Sequence, residues 1–368
     1  MKNDKFIDAV CEILNKRNFS KKISFTGFYS LSIFLTYECN FDCMYCFSEP
    51  GKNKKTINFS TARAGIDFIV KNSGKKVVKI IFTGGGEPTL KYKLFKKCVD
   101  YINFVKKKKN INFDLSIVSN GVWTKEQCNY ISKNFQDICI SFDGFSDVQN
   151  VLRPLKNNKP SYKYVVKTLR SLEKNSFHFG TKTIITRSNI NHLDKLIKSN
   201  HNNFNPDYQI FDLFYLVGKA KNKTELLPKN EDYMQMIEKL LKNFNNHNLY
   251  FRNYFSENLS LRRSHENHLR ITLDPENRIL FFATTPNPDI FSFGKFNKNK
   301  KTFDLDYNSL KKKLSIILNQ DECNICPAIN NCGLSQKSMK YISDTRLSCA
   351  VLQQSFRSYI KKRINHEK

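Results

Sequence analysis

Between residues 30 and 216, short runs of β-branched and aromatic residues alternate with helical stretches, and this alternation confines the chain to few folds. The runs Ser30–Tyr37, Val77–Phe82, Phe113–Ser119, Asp137–Phe142, Thr181–Thr186 and Tyr208–Leu216 predict six strands. Ser60, Thr124 and Ser161 each precede an apolar-periodic segment and mark helix starts between them. Strands alternating with helices imply βαβ units and a mainly parallel sheet, whose chemistry gathers in the loops after the carboxyl ends of strands. The expected class is α/β, a partial six-stranded TIM-like (β/α)6 barrel.

Past residue 220 the pattern changes to one helix, "NEDYMQMIEKLLKNF", then a hairpin, "LRITLDPENRILFFA", turning at Pro275–Asn277, then loop-rich sequence. The expected division is a helical lead-in over 1–29, the barrel over 30–222, a linking helical segment over 223–265 and a C-terminal module over 266–368. Apolar runs such as "VVKIIF" fall far short of the roughly 20 residues that cross a bilayer, and "MKNDKFIDAV" lacks a signal-peptide apolar region. A cytoplasmic location with no membrane partner is therefore expected.

In that compartment the eleven cysteines are not expected to pair as disulfides, and clustered cysteines read as metal ligands or catalytic groups. Seven fall in two clusters, Cys39, Cys43, Cys46 and Cys323, Cys326, Cys332, Cys349, while Cys11, Cys98, Cys128 and Cys139 stand apart as small buried apolar residues. The first cluster, "CNFDCMYC", follows the first predicted strand and offers three ligands with no histidine nearby. A structural zinc wants four protein ligands, and a Cys43/Cys46 redox pair would leave Cys39 unexplained. A cubane iron–sulfur cluster held by three thiolates has one iron free for a further ligand.

"LTYECNFDCMYCF", with Tyr45 ahead of the last cysteine, resembles the signature of the radical S-adenosylmethionine (radical SAM) superfamily. The resemblance implies a 4Fe–4S cluster on Cys39, Cys43 and Cys46 whose open iron binds S-adenosylmethionine. "FTGGGEPTL" resembles the GGEP motif of that family, placing Gly85, Gly86 and Glu87 at the cofactor after Gly84; glycine lets backbone approach a ligand closely. "VSNG" and "ISFDG" resemble its third and fourth strand ends, making Ser141 the candidate for the methionine carboxylate or ribose, with Asn120 and Asp143 shaping the pocket. Arg153 resembles the arginine that follows the Asp-Gly pair, and Lys219 in "LVGKA" stands where the family carries an arginine. Asn-Gly and Asp-Gly pairs are also ordinary turn residues.

Cys323-x2-Cys326-x5-Cys332 with Cys349 can ligate zinc or a cluster fully. Beside such a core it resembles the outer half of a SPASM domain, implying an auxiliary 4Fe–4S cluster. The ligand positions of the inner SPASM cluster hold Ala283, Asn299 and Gln336, so that cluster is expected to be absent although Gly294 is kept. His265 and His268 could share a helical face, but with no third ligand beside them they are not taken as a metal site.

The expected function is reductive cleavage of S-adenosylmethionine to a 5′-deoxyadenosyl radical and hydrogen abstraction from a ribosomally made peptide or protein, leading to a crosslink, epimerisation or oxidation. No residue is assigned as a catalytic acid or base. The roughly 30 residues before the first strand show no separate leader-binding domain, so recognition would fall to the barrel, the module or another protein. Flavodoxin or ferredoxin is the expected electron donor. The alternatives are radical modification of RNA or a small metabolite, for which the net charge of +28 is the only support, and a non-catalytic binding protein on a relic barrel. Lysine and asparagine are spread along the whole chain, so the charge reads as compositional bias and nucleic acid is not the expected partner.

Overall fold

The computed structural model of the chain describes residues 25–48, 53–73, 77–244, 249–252, 267–280, 289, 292–306 and 308. The six predicted strands form consecutively as β1 (Phe25–Ile33), β2 (Val77–Phe82), β3 (Asn112–Ser119), β4 (Asp137–Ser141), β5 (Phe179–Ile185) and β6 (Tyr208–Leu213). Each pairs in parallel with the next, for example Ile80 opposite Leu115 and Ser141 opposite Lys182. The sheet is wider than predicted. β7 (Leu249–Arg252) adds in parallel to β6, and β8 (Asn267–Leu273) adds in parallel to the other side of β1. Three antiparallel strands, β9 (Arg278–Leu280), β10 (Ser292–Asn297) and β11 (Thr302–Leu305), then extend that edge, giving an eleven-stranded sheet in the order β11-β10-β9-β8-β1-β2-β3-β4-β5-β6-β7.

Two expectations change. β1 starts at Phe25, so residues 25–29 of the supposed helical lead-in are strand; Thr26-Gly27 interrupts the apolar run, and the pairing to β8 is irregular from Phe25 to Ser30. The predicted hairpin forms, with its turn over 274–277, but its first strand lies along β1, so the start of the C-terminal segment continues the barrel sheet.

Seven helices are described: α1 (Phe59–Asn72), α2 (Tyr92–Lys109), α3 (Lys125–Asn134), α4 (Ser146–Leu152), α5 (Tyr162–Lys174), α6 (Leu193–Phe204) and α7 (Asn230–Asn243). Thr124 caps α3 in a reciprocal capping box with Gln127. α1 begins one residue before the predicted Ser60 cap, with Asn58 at its N-cap, and Ser161 precedes α5 without a capping hydrogen bond. Alternation along the strands sends Ile80, Phe82, Leu115, Ile117, Ile138 and Ile140, all buried, to the helix-covered face. There Phe95 of α2 packs between Phe82 and Phe135, with ring centroids 4.9 and 5.4 Å away. The opposite face carries Ser30, Ser32, Lys79, Asp114, Ser116 and Ser141, and Lys79 reaches Asp114 at 3.3 Å.

The Phe95→Ala substitution should lower unfolding free energy by about 3–5 kcal/mol, the usual cost of emptying a phenylalanine site in a packed core. Phe104→Ala on the same helix, at a residue 55% exposed, should stay within about 0.5 kcal/mol; urea denaturation followed by circular dichroism measures both.

Candidate active site

Residues 34–48 leave the carboxyl end of β1 and carry Cys39, Cys43 and Cys46, three free, half-buried thiols. The loop is fastened along its length to neighbouring backbone. Tyr37 N–H donates to Lys55 O at 2.9 Å, Asp42 N–H to Pro154 O at 2.8 Å and Met44 N–H to Leu152 O at 3.0 Å. Phe41, 1% exposed, anchors its middle and bridges to Leu155. Phe41 N–H also points at Cys39 Sγ, 3.4 Å away.

The glycines after β2 form the opposite wall. Gly84 and Gly85 take left-handed φ values of 53° and 71°, and a Cβ on Gly86 would lie 1.9 Å from Glu38 O. Only a bare backbone fits there. Glu87 N–H then donates to Glu38 O at 2.8 Å, joining this strand end to the cysteine loop. The resemblance placed Glu87 among cofactor contacts, but its 2% exposed carboxylate is committed to this chain. It accepts from Thr89 N–H (3.1 Å), Thr89 Oγ1 (2.7 Å), Ser119 Oγ (2.9 Å) and Asn120 N–H (2.9 Å), bracing the end of β2 against that of β3. Burial nevertheless holds its pKa above the ordinary carboxylate value.

Tyr45, Asp143 and Arg153 also bond to one another. Asp143, fully buried, accepts from Tyr45 OH and from Arg153 Nε (2.9 Å) on one oxygen and from Ile184 N–H (2.9 Å) on the other. The guanidinium lies over the Tyr45 ring, 5.2 Å from its centroid. Burial disfavours the Arg153 charge, but the Asp143 carboxylate outweighs it and holds the pKa well above the ordinary value. Gln149 Oε1 accepts from Asp143 N–H and Asn189 Nδ2 donates to Asp143 O, at 2.8 and 3.0 Å.

The remaining expected residues stand near the thiols. Asn120 Nδ2 donates to Asn40 Oδ1 at 2.7 Å and lies 3.9 Å from Cys39 Sγ. Ser141, at the end of β4 and 9% exposed, has no side-chain hydrogen-bond partner among the described residues. Lys219 grips the far side: its N–H donates to Cys46 O at 3.0 Å and its ammonium pairs with Asp42. Gly218 is required beside it, since a Cβ there would stand 2.4 Å from Cys46 O.

Reading the sequence missed Asn40, Asp42 and Ser48, whose signal was proximity to the cysteines, and Gln149 and Asn189, which carry none. Ser48 Oγ donates to Gly85 O and lies 3.4 Å from Cys46 Sγ. Cys323, Cys326, Cys332, Cys349, Ala283, Gln336 and His265 lie outside the described residues. Asn299 sits in the turn after β10, its N–H donating to Asn297 Oδ1, and His268 is on a strand, not on a helical face.

What fits this place is a thiophilic group. Burial pushes the Cys39 thiol up to about 12 and the Cys43 thiol higher, and the neighbouring cysteines of the motif push both the same way. Such thiols keep their protons at neutral pH until a metal displaces them. Three cysteine thiols in one loop are a donor set that suits an iron–sulfur cluster, which thiolates hold.

Residues 33–199 match the family model described as the radical SAM superfamily. The uncharacterised protein MJ0907 of Methanocaldococcus jannaschii is 33% identical over 215 residues, 58% of this chain and 72% of that protein. A cysteine-type anaerobic sulfatase-maturating enzyme of Clostridium novyi is 30% identical over 168 residues, 44% of each chain. Mycofactocin maturase MftC of Mycolicibacterium smegmatis is 27% identical over 165 residues, so the chain spans less than half the length of either maturase. Among solved structures, anSMEcpe with bound AdoMet aligns with TM-score 0.73 at 18% identity, covering 91% of this chain and 98% of that one. Streptococcus suis SuiB bound to S-adenosylmethionine aligns with TM-score 0.61 at 14% identity, covering 94% and 81%. At these identities the structures show a shared fold.

Asp143→Ala should lower unfolding free energy by about 3–5 kcal/mol, because it strands the buried Arg153 charge. Tyr45→Phe should cost about 1 kcal/mol, one hydrogen bond. Chemical denaturation of the full chain measures both; an Asp143→Ala loss confined to cofactor affinity would contradict the anchoring role.

Proposed function

This chain belongs to the radical SAM superfamily, and we propose that it abstracts hydrogen from a peptide or protein substrate with a radical made from S-adenosylmethionine. The observation that carries the reading is the three-thiol loop braced against a glycine strand end, with no fourth cysteine or histidine beside the thiols among the described residues. When bound, the cluster and S-adenosylmethionine supply one-electron cleavage of the sulfonium to a 5′-deoxyadenosyl radical. Cys39, Cys43 and Cys46 would hold the cluster. Gly85 and Gly86 leave backbone bare beside the loop for the methionine moiety, and Ser141 and Asn120 would offer polar contacts from the neighbouring strand ends.

The rest of the chain does the positioning. The Asp143 anchor and the Glu87 brace hold the loop and the carboxyl ends of β2 to β5 at fixed separation, so that bound groups meet a rigid frame. The peptide substrate class is supported by the company the chain keeps: the Clostridium novyi and Mycolicibacterium relatives are named maturases, and solved anSMEcpe and SuiB structures contain peptides. A four-cysteine auxiliary cluster on Cys323, Cys326, Cys332 and Cys349, in a SPASM-like module, and a flavodoxin or ferredoxin donor complete the reading. No described helix is long and apolar enough to cross a membrane, in keeping with action in the cytoplasm.

Anaerobic reconstitution tests it. About eight iron atoms per chain are expected, falling to about four when Cys39, Cys43 and Cys46 are replaced by alanine, or when Cys323 and Cys326 are. Under dithionite the wild-type chain should release 5′-deoxyadenosine, detected by mass spectrometry, and the first variant none; an iron-loaded wild type that releases none overturns the proposal. Ser141→Ala should keep its iron and raise the KM for S-adenosylmethionine about tenfold, the loss of one hydrogen bond to a charged group.

A further inference from the structure

The hairpin turn between β8 and β9 is bonded to the chain two residues before Cys39. Asp274, 1% exposed, gathers five donors. Its Oδ1 accepts the turn amides of Glu276 (3.1 Å) and Arg278 (3.0 Å). Its Oδ2 accepts Arg278 Nε (2.9 Å), Arg278 Nη2 (2.6 Å) and Tyr37 OH (3.1 Å). The first four donors belong to the hairpin itself; the fifth reaches across 237 residues of sequence.

Tyr37 is held on its other side by the glycine wall. A Cβ on Gly85 would lie 3.1 Å from the Tyr37 ring, and one on Gly86 would lie 2.7 Å from the Tyr37 carbonyl carbon. The next residue, Glu38, accepts Glu87 N–H with its backbone oxygen and pairs with Lys91 at 2.6 Å. Tyr37 is thus clamped between the hairpin carboxylate and the strand end that the S-adenosylmethionine reading assigns to the cofactor. Flanking bonds hold the two segments in register: Asn53 to Glu276 (2.9 Å), Lys55 to Glu276 (2.6 Å), Thr61 to Asn277 (2.9 Å) and Phe34 N–H to Leu273 O (2.9 Å).

We infer that Asp274 and Tyr37 are positioning residues of the cysteine loop, so that the C-terminal hairpin sets the geometry of the site without touching its ligands. A turn needs only the two amides on Oδ1. The Tyr37 hydroxyl adds nothing to the hairpin's own closure, but it fixes the ring that packs on Gly85 and, through the backbone, Glu38 and Cys39. The inference rests on the proposed function only in taking this loop as the cofactor site.

Tyr37→Phe deletes one hydroxyl and keeps the ring; Asp274→Asn keeps an oxygen for the turn amides and removes the charge; Lys300→Met breaks an exposed pair with Asp304 at the β10–β11 turn and serves as control. Hydrogen–deuterium exchange of the full-length reconstituted chain should show residues 37–46 opening about fivefold faster in Tyr37→Phe, the equivalent of one hydrogen bond. Exchange in β2 to β5 should be unchanged and Lys300→Met should match wild type. Equilibrium binding of S-adenosylmethionine should weaken about fivefold in Tyr37→Phe and further in Asp274→Asn. Faster exchange confined to residues 274–280, with the loop and affinity as in wild type, overturns the inference and leaves Asp274 a turn residue. If the wild type binds no S-adenosylmethionine, the functional reading fails and the exchange result alone decides the inference; a misfolded Asp274→Asn leaves the decision to Tyr37→Phe.

Discussion

A carboxylate buried without solvent is costly unless it is paired, and Asp143 is paired on every side. It receives a phenol from the cysteine loop, a guanidinium from the end of α4 and a backbone amide from β5. The loop, the fourth strand end and the fifth therefore cannot move independently: pulling any one away would leave a charge unmet in the interior. The remaining braces secure elements already fixed relative to this point, with Glu87 joining the second strand end to the third and Lys219 closing the loop's far side.

The sheet divides its labour by face. Toward the helices the strands present isoleucine, leucine and phenylalanine, whose burial drives assembly. Toward the other side they present serine, threonine, lysine and aspartate, several paired across strands. Nearly all the loop geometry described above arises at strand carboxyl ends, where the alternating pattern stops and polar residues meet from neighbouring strands. That is where an α/β sheet concentrates function.

Much of this was legible in the residues. Six strands and the cysteine loop follow from periodicity and spacing, because strand patterns and ligand motifs are local. β7 escaped notice because four residues carry little pattern, and the parallel partnership of β8 with β1 joins segments more than 200 residues apart, which no local signal records. The site was harder to read for a different reason. Tyr45 in the cysteine loop, Glu87 and Asp143 after strand ends and Arg153 at the end of α4 stand where a polar side chain can serve a ligand or serve its neighbours, and residue type does not distinguish the two. Here all four bond to the protein. Ser141, of the same kind by sequence, has no such partner among the described residues, and only the fold separates it from the others.

That separation follows from what the proposed open site demands. A closed four-ligand site is shaped partly by its own metal, whereas a site one ligand short must hold its frame for an incoming group that binds and leaves. The frame must then come from bonds that spare the ligand atoms. The described braces have this character: Glu38 and Cys46 are gripped through backbone oxygens, Met44 and Asp42 through backbone amides, and Tyr45 through its hydroxyl. Among the described residues the thiols meet only weak contacts at 3.4 Å or beyond. Lysine suffices at position 219 because its work is one backbone amide and one ion pair to Asp42, a task for a point charge and not for a planar fork.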